Sequence, residues 1–460
     1  MMMIRSPSIR LVLSSLMMPL HVLVIVFQRM SQIHNTASAF PEVPLARKSL
    51  SMRRLRRGAS SIVYGTPESM ELPNVERIFA VSDLHTDDSM NFKWLEEKCQ
   101  NADTSCSPGP DDALIVAGDI SHDLDQIEAT LRVLKEGLQC EVFFVIGNHE
   151  AWVGGEAMTE LGLTDSLPKI DAINELCHSL GVITEHRLVG SDNKFPTWIL
   201  PMQSWYDGTL SFPECSDLCE DFITWPWVDF TRCSWPDEFA RDPTDFDNPR
   251  IPDGLVEYFL EKNEGAIQEI QKSYSSLQQS EEKLPGLITF THFLPNKQTL
   301  PDWKTPESDS FSRSWFDHGA AGVSAKFAKV SGSKLIDEQI RSIWPDLNGN
   351  DDSEPIRHIH VFGHSHRPKE FIWGGIRYVH NPLGKPRERD CRMIDDDVSF
   401  KLIWDTNVGT VSAEQVIRYW EEKGGGKKVV WRYMLRRKST RRKIIKSIRQ
   451  ETRRVRFLKE

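Results

Sequence analysis

Short apolar segments that run directly into Asp, Asn or His recur along this 460-residue chain. Apolar runs of about four to eight residues with polar flanks are typical of buried β-strands. LDQIEATLRVLKEGL (124–138) instead has the periodicity of a helix. Each strand would hold its polar end on a loop fixed by a rigid sheet, where catalytic groups are commonly found. The apolar segments are RIFAVSD (77–83), ALIVAGD (113–119), VFFVIGNHE (142–150), LITFTHF (287–293), HIHVFGHSH (358–366) and IRYVHNP (376–382).

The polar residues at these strand ends are of the types that bind metals. Imidazole nitrogens and carboxylate oxygens suit Mn, Fe or Zn. Two such metals about 3.5–4 Å apart form a clamp for in-line displacement at phosphorus, and one carboxylate must bridge them. Gly residues before Asp119, Asn148 and His364 would let the backbone turn sharply and approach the metals.

The order of these motifs resembles the calcineurin-like metallophosphoesterase superfamily over roughly residues 76–410. Any one motif is weak, whereas five in this order, each at the end of an apolar strand, are specific. The resemblance implies an α/β fold in which a two-sheet β-sandwich is flanked by helices. The motifs are Asp83-x-His85, Gly118-Asp119, Gly147-Asn148-His149-Glu150, Thr291-His292 and Gly363-His364-x-His366.

The resemblance also implies which residues hold two divalent metal ions, whose identity as Mn, Fe or Zn stays open. One ion would be bound by Asp83, His85 and His366, and the other by Asn148, His292 and His364. Asp119 would bridge them. His149 would bind no metal, and would donate a proton to the leaving oxygen or a hydrogen bond to the phosphoryl group. A metal-bound hydroxide would attack a small phosphomonoester or phosphodiester.

Two other functions are compatible with this fold: a protein phosphatase and a non-catalytic scaffold. Protein phosphatases of the superfamily carry an acid-arginine-glycine stretch after the second motif, whereas this chain has GDISHDLD (118–125) without Arg. Non-catalytic scaffolds of the same fold typically lack a ligand or the proton-donating His, whereas every matched position is filled here. Hydrolysis of a small phosphoester is therefore the favoured prediction.

Four further residues near the motifs are candidates for supporting roles. His358 and His360 share one strand face by alternation and are predicted to be packed or to lie behind the ligands. Asp123 could orient His149 by accepting its other ring proton, or could cap the helix that follows. Asn381, at the end of the last strand, is a second candidate for support from behind the ligands.

The two ends of the chain differ in composition from the domain between them. Residues 1–39 are predicted to be a signal peptide with an A-x-A cleavage pattern at Ala37 and Ala39, and residues 40–72 have the basic, Ser-rich composition of a transit peptide. This arrangement resembles the bipartite leader of complex-plastid algae and implies a plastid destination. A plain secretory signal or an uncleaved anchor is the alternative.

The remaining chain is divided into the metallophosphoesterase domain over 73–420 and a basic tail over 421–460. Residues 151–285, which are rich in Trp, Pro and acids, are predicted to form an insertion or cap, with one long helix near 255–279. The eight cysteines form no CxxC pair and are predicted to be ordinary thiols, with a disulfide as the alternative in an oxidising compartment.

The tail is strongly basic, although the formal net charge of the whole chain is −10. Residues 427–460 contain 15 Lys or Arg and 2 Asp or Glu. Ile444, Ile445 and Ile448 fall on one helical face among these cations. Such a segment could bind RNA or an anionic membrane surface, or could form a solvated helix that packs on the domain.

Deletion of residues 427–460 tests these alternatives. Contact with a polyanion through the tail predicts that the shortened protein loses retention on vesicles containing phosphatidylserine, or on RNA, at low salt. Sedimentation with vesicles and RNA gel shifts measure this retention. Unchanged retention on both would remove the polyanion-binding role of the tail.

Overall fold

The computed structural model describes residues 70–436, except 102–104, 155–161, 163–164, 242–249, 281, 283, 317–320, 346–355, 412 and 427. The predicted signal peptide (1–39), nearly all of the transit-like segment (40–72) and the tail beyond residue 436 lie outside the described residues. The described residues belong to one compact unit, which extends over 69–460. Within that part of the chain, no helix has both the length and the apolar character needed to cross a bilayer.

Two mixed β-sheets form the centre of the protein. The smaller sheet has the order β12-β11-β2-β3-β4, and the larger has the order β1-β5-β6-β7-β8-β10-β9. The strands are β1 (Glu71–Leu72), β2 (Arg77–Val81), β3 (Asp112–Ala117), β4 (Glu141–Val145), β5 (Arg187–Val189), β6 (Thr197–Pro201), β7 (Gly286–Phe290), β8 (His358–Val361), β9 (Lys369–Trp373), β10 (Ile376–His380), β11 (Lys401–Asp405) and β12 (Gly409–Thr410).

Helices flank these sheets, as the predicted fold class requires. The helix predicted over 124–138 is confirmed with the same bounds. The helices are α1 (Ser89–Gln100), α2 (Leu124–Leu138), α3 (Asn148–Ala151), α4 (Ser166–Ser179), α5 (Asp229–Arg232), α6 (Leu255–Glu261), α7 (Glu264–Gln279), α8 (Ala321–Lys329), α9 (Lys334–Ile343), α10 (Pro386–Asp390) and α11 (Tyr419–Glu422). Short 3₁₀ helices cover Pro213–Cys219, Phe222–Thr224, Asp237–Phe239, Lys297–Thr299 and Arg313–Trp315.

The central strands of the two sheets carry apolar side chains on both faces, and β3 is an example. Along β3, Ile115 belongs to the core between the sheets, whereas Leu114 and Val116 belong to the core shared with the helices. A strand buried on both faces reads as a continuous apolar run, which explains why the central strands were recognisable in the sequence. The predicted two-sheet sandwich flanked by helices is confirmed.

The register of the parallel strands places their carboxyl ends side by side. Val81 of β2 pairs with Val116 of β3, and Ala117 of β3 pairs with Val145 of β4. In the larger sheet, Phe290 of β7 pairs with Val361 of β8. The polar residues that follow these strands therefore emerge at a common edge of the sandwich.

The insertion predicted over 151–285 is too long. This range contains α4, β5 and β6, and β6 lies within the larger sheet, parallel to β7. These two strands were missed because β5 has only three residues and neither strand ends in a metal-binding side chain. Within this range, the longest stretch outside the sheets is residues 202–285, between β6 and β7.

The single helix predicted near 255–279 is also wrong, because the structure has two helices there. α6 and α7 are separated at Lys262 and Asn263. The side chain of Asn263 accepts a hydrogen bond from Gln203 N at 2.8 Å and donates one to Gln203 O at 3.0 Å. Asn at this position therefore bonds to a neighbouring backbone segment. The eight cysteines are free thiols, as predicted.

A buried ion pair connects the two sheets near β9 and β10. Arg377 donates to Glu370 Oε1 from Nε at 2.8 Å and from Nη2 at 2.5 Å, and both side chains are almost completely buried. Nη1 of Arg377 also donates to Ile403 O in β11 of the smaller sheet, at 3.2 Å. The pair therefore holds β9 and β10 to the opposite sheet.

Substitution Glu370→Gln should lower the free energy of unfolding by about 3 kcal/mol, because a buried guanidinium loses its counter-ion. Urea unfolding followed by tryptophan fluorescence measures the change. Asp217→Asn, in the exposed pair with Arg313, is the control and should leave the midpoint nearly unchanged. Equal effects of the two substitutions would contradict the role assigned to Glu370.

Candidate metal centre

The common edge of the sandwich brings together all seven residues predicted to bind metal. Asp83 and His85 follow β2, Asp119 follows β3, and Asn148 begins α3 just after β4. The other three come from the larger sheet, with His292 after β7 and His364 and His366 after β8. Ligands supplied by both sheets thus meet where the two sheets end.

Five of these residues have positive backbone φ angles. The angles are 53° at Asp83, 43° at His85, 56° at Asp119, 73° at His364 and 49° at His366. Residues other than Gly rarely adopt this left-handed conformation, and such residues cluster at functional sites. Backbone hydrogen bonds hold them there, including His364 N to Asp83 Oδ1 at 2.8 Å and His85 N to Asp119 O at 2.9 Å.

Asp83, His85, Asp119 and His366 form the first ligand group, in which one ligand atom from each residue lies within 4.8 Å of the others. The Nε2 atoms of His85 and His366 are 2.7 Å apart. Nε2 of His366 is 3.4 Å from Asp83 Oδ1, and Nε2 of His85 is 3.8 Å from Asp119 Oδ2. The group therefore converges from three loops on one point.

Asp119, His292 and His364 form the second ligand group with Asn148. Asn148 Oδ1 is 3.2 Å from His292 Nε2 and 3.0 Å from His364 Nδ1. The two ring nitrogens are 3.2 Å apart, and His292 Nε2 is 3.3 Å from Asp119 Oδ1. Asp119 therefore contributes to both groups, with Oδ2 directed to the first and Oδ1 to the second.

The chemistry of these atoms fits divalent cations. Three imidazoles bond on their outer side: His292 Nδ1 to Ala117 O at 2.9 Å, His364 Nε2 to Val330 O at 3.1 Å and His366 Nδ1 to Glu388 Oε2 at 2.9 Å. When the outer nitrogen carries the proton, the inner nitrogen presents a lone pair, as in metal-ligating histidines. The facing nitrogens of His85 and His366, at 2.7 Å, are suited to a shared cation.

Gly residues make the close approach of these loops possible. A Cβ atom on Gly147 would lie 2.3 Å from Asp119 Oδ1, and one on Gly118 would lie 2.5 Å from His292 Nδ1. Such distances are shorter than any real contact, and Gly118 also has a φ of 79°. The sequence-based explanation of these two glycines agrees with the structure.

Burial and mutual charge shift the proton equilibria of the first group. Burial raises the pKa of Asp119 well above its usual value, and the charge of Asp83 acts in the same direction. Burial opposes the ionisation of Asp83, but the charge of His366 and hydrogen bonds from His366 and His380 hold its pKa well below the usual value. Burial lowers the pKa of His366, but Glu388 and Asp83 outweigh it and raise the pKa to about 9.

His149 lies beside the first ligand group. Its Nε2 atom is 3.8 Å from Asp119 Oδ2, and its ring stacks on Trp152 with a centroid separation of 3.7 Å. Burial lowers the pKa of His149 well below its usual value, and the charge of His85 adds to this effect. Its Nδ1 atom has no hydrogen-bond partner among the described residues. A nitrogen of His149 also lies within 4.8 Å of ligand atoms of His85 and Asp87, a third set of residues that could hold a cation, so its role as a non-ligand stays a prediction.

Asp123 does not orient His149, and this part of its prediction is wrong. Its carboxylate accepts a hydrogen bond from Gln126 N at 3.1 Å and caps the first turn of α2. Asn381 donates from Nδ2 to Ala80 O and Ser399 O, both at 2.9 Å, so its side chain bonds to backbone rather than to a ligand side chain.

His358 and His360 are packed, as predicted. Both are fully buried, and Thr289 Oγ1 lies 3.2 Å from His358 Nε2 and 2.9 Å from His360 Nδ1. Thr291 Oγ1 lies 3.1 Å from His360 Nε2. Neighbouring threonine hydroxyls are therefore within hydrogen-bond distance of both ring nitrogens of His360 and of one ring nitrogen of His358.

Three residues that support the ligands were missed in the sequence. Glu388 accepts from His366, and His380 Nε2 lies 3.1 Å from Asp83 Oδ2. Glu150 accepts hydrogen bonds from the backbone N–H groups of Gly147, Asp119, Ile120 and Ser121, at 2.6–3.2 Å. Burial raises the pKa of Glu150 to about 7, and the charge of Asp119 adds to the rise. Glu150 carried a signal as the last residue of the GNHE motif, and His380 carried one as the histidine that ends an apolar strand.

Comparison with known proteins agrees with this geometry. Residues 76–232 match the profile of the family described as calcineurin-like phosphoesterase. Over 133 residues the chain is 33% identical to the acyl-carrier-protein phosphodiesterase PptH of Mycobacterium tuberculosis. The aligned part is 28% of this chain and 37% of that protein, so the chain matches little more than a third of its relative.

Two solved structures share parts of this fold at low sequence identity. The crystal structure of phosphopantetheinyl hydrolase PptH from Mycobacterium tuberculosis aligns with a TM-score of 0.46 and 19% identity, over 72% of this chain and 97% of that one. A cold-active protein-tyrosine phosphatase of a psychrophilic Shewanella aligns with a TM-score of 0.20 and 12% identity, over 50% and 71% of the two chains.

Residues 76–232 therefore match the calcineurin-like phosphoesterase family, in agreement with the resemblance found in the motifs. The curated relative matched over 133 residues is itself named a phosphodiesterase.

Substitution Glu388→Gln should weaken the binding of Mn²⁺ by about 10-fold or more, because His366 loses the charged acceptor that fixes its ring and raises its basicity. Calorimetric titration of chelator-treated protein measures the affinity. Glu185→Gln, at a carboxylate that pairs with Arg187, is the control. Equal Mn²⁺ affinity in the Glu388→Gln and control proteins would contradict the support assigned to Glu388.

Proposed function

We propose that this protein hydrolyses phosphodiesters with a dinuclear metal centre held by the two ligand groups. The observation that carries the proposal is the position of Asp119, which belongs to both groups and directs one carboxylate oxygen toward each. A shared carboxylate between two sets of N and O ligands is the arrangement needed to keep two cations close together.

When bound, the two cations would stabilise negative charge on a phosphoryl group and increase the acidity of water. The chain's own residues would bind and orient these cations through Asp83, His85 and His366 on one side and Asn148, His292 and His364 on the other. His149, stacked on Trp152, would hold its ring toward the phosphoryl group and donate to an oxygen there.

The choice of a diester rests on the similarity to PptH. That protein is named an acyl-carrier-protein phosphodiesterase, and its crystal structure is described as a phosphopantetheinyl hydrolase. We therefore propose a phosphodiester that joins a phosphopantetheinyl group to a carrier protein as the natural substrate. A small phosphomonoester or another phosphodiester is the alternative, and the assay below distinguishes them.

Chelator-treated protein loaded with Mn²⁺ should hold two ions per chain and hydrolyse bis-p-nitrophenyl phosphate faster than p-nitrophenyl phosphate. Asp119→Asn should lower both the metal content and the turnover, since it weakens the shared ligand. His149→Ala should keep the metals and lose turnover by about 100-fold or more, the usual contribution of a general acid or base. Absorbance at 405 nm (roughly the nitrophenolate maximum) measures turnover.

Asp123→Asn is the matched control, because Asn caps a helix about as well as Asp and residue 123 does not contact the ligands. Release of a phosphopantetheinyl group from carrier protein, followed by mass spectrometry, tests the natural substrate. Bound metal without turnover on any of these esters would overturn hydrolysis and favour a metal-binding scaffold. Faster hydrolysis of the monoester would overturn the choice of a diester.

A further inference from the structure

Asp229 is a buried carboxylate, at the start of α5, with four hydrogen-bond donors around it. Its side chain is 2% exposed or less, and it comes from the Trp-rich part of the chain that lies outside the sheets. Oδ1 accepts from Asn148 Nδ2 at 2.8 Å and from Trp152 Nε1 at 2.7 Å. Oδ2 accepts from Trp227 Nε1 at 2.8 Å and from Tyr206 OH at 3.2 Å.

The bond to Asn148 fixes which end of that amide faces the second ligand group. An amide has an accepting oxygen and a donating NH₂ group, and only the oxygen can bind a cation. Because an ionised carboxylate only accepts hydrogen bonds, Asp229 selects the NH₂ group. Oδ1 of Asn148 is thereby turned to His292 Nε2 and His364 Nδ1, at 3.2 and 3.0 Å.

The bond to Trp152 also positions His149, through the indole on which its ring stacks. The indole of Trp152 stacks on the His149 ring at 3.7 Å, so the orientation of the indole sets the plane on which the imidazole rests. One carboxylate oxygen therefore holds both a ligand of the second group and the ring beneath His149.

The segment that carries Asp229 is fixed to the chain beside the site. Val153 N donates to Arg232 O at 2.7 Å, and Ser166 N donates to Ser234 O at 2.8 Å. Ser166 Oγ also donates to Ala151 O at 2.7 Å. These bonds join α5 to α3 and to the start of α4, so the carboxylate cannot move away without breaking several of them.

We propose that Asp229 is a positioning residue of the metal centre, which sets the amide orientation of Asn148 and the indole beneath His149. The inference rests on the proposed metal-dependent hydrolysis. It assigns a role to the Trp-rich segment, which brings a carboxylate into contact with the ligands from outside the sandwich.

The test measures Mn²⁺ affinity by calorimetry on chelator-treated, full-length protein. Asp229→Asn removes the charge and one of the two acceptor oxygens at constant size. Binding of Mn²⁺ at the second ligand group, which contains Asn148, should weaken by about 10-fold or more. This is the usual effect of removing a hydrogen-bond partner of a metal ligand. In an Asn148→Ala background the same substitution should add little, because its effect on affinity passes through Asn148.

Asp337→Asn is the matched control. Asp337 is also a buried carboxylate with several donors, accepting from Asn296 Nδ2 at 2.8 Å, Arg341 Nε at 2.6 Å and Tyr378 OH at 2.7 Å. None of these partners is a predicted ligand. The control should lower the melting temperature and leave Mn²⁺ affinity unchanged, which separates positioning from general stability.

A second variant covers the case in which Asp229→Asn does not fold. Asn148→Asp leaves Asp229 intact and offers Mn²⁺ a charged ligand of a type that it favours. If Asp229 sets the orientation at residue 148, the two facing carboxylates repel each other, and Mn²⁺ binding should weaken rather than tighten.

The outcomes separate this inference from the proposed function. Wild-type protein that binds fewer than two Mn²⁺ ions would overturn the dinuclear centre and the inference with it. Two sites in the wild type with unchanged affinity in Asp229→Asn, or tighter binding in Asn148→Asp, would overturn only the role of Asp229. Weaker binding in either variant, with the control unaffected, supports it.

Discussion

The shared carboxylate of Asp119 is the interaction on which the rest of the site depends. Asp119 is 1% exposed and faces ligands from both sheets. Burying two carboxylates and four imidazoles together is costly unless cations or hydrogen bonds compensate. The sandwich meets this constraint by ending its parallel strands at one edge, so that the smaller sheet supplies the carboxylates and the larger sheet supplies three of the imidazoles.

The loops that hold these ligands are stabilised by hydrogen bonds that their backbone N–H groups donate. Glu150 accepts from four N–H groups on the loops after β3 and β4, so a single side chain fixes the turn on either side of Asp119 and Asn148. Left-handed backbone at Asp83, Asp119 and His364 is strained for L-residues. Hydrogen bonds between the loops keep that backbone in place and hold the ligand side chains at the common edge.

The ligands and the central strands could be predicted because each is local in sequence. A doubly buried strand is a continuous apolar run, and each ligand immediately follows such a run. Glu388 and Asp229 could not be found in this way, since each supports a ligand that is distant in the chain. His380 does follow such a run, but its contact with Asp83, 297 positions away, cannot be read from the local sequence. Asp123 shows the converse error: it lies four residues from Asp119, yet its carboxylate caps α2 because the backbone turns it toward Gln126 N. β5 was missed because it has only three residues, and β6 was missed because no metal-binding side chain follows its apolar run.

The hydrogen bond from His364 N to Asp83 joins residues 281 positions apart. A ribosome must therefore synthesise most of the domain before the first ligand group exists, and contacts of such long range slow folding. An incomplete chain would carry Asp83 and Asp119 without the histidines that complete their site. Cations that bind only the finished arrangement add their binding free energy to the folded state alone. Metal binding would therefore stabilise the complete domain but not a chain that lacks these histidines.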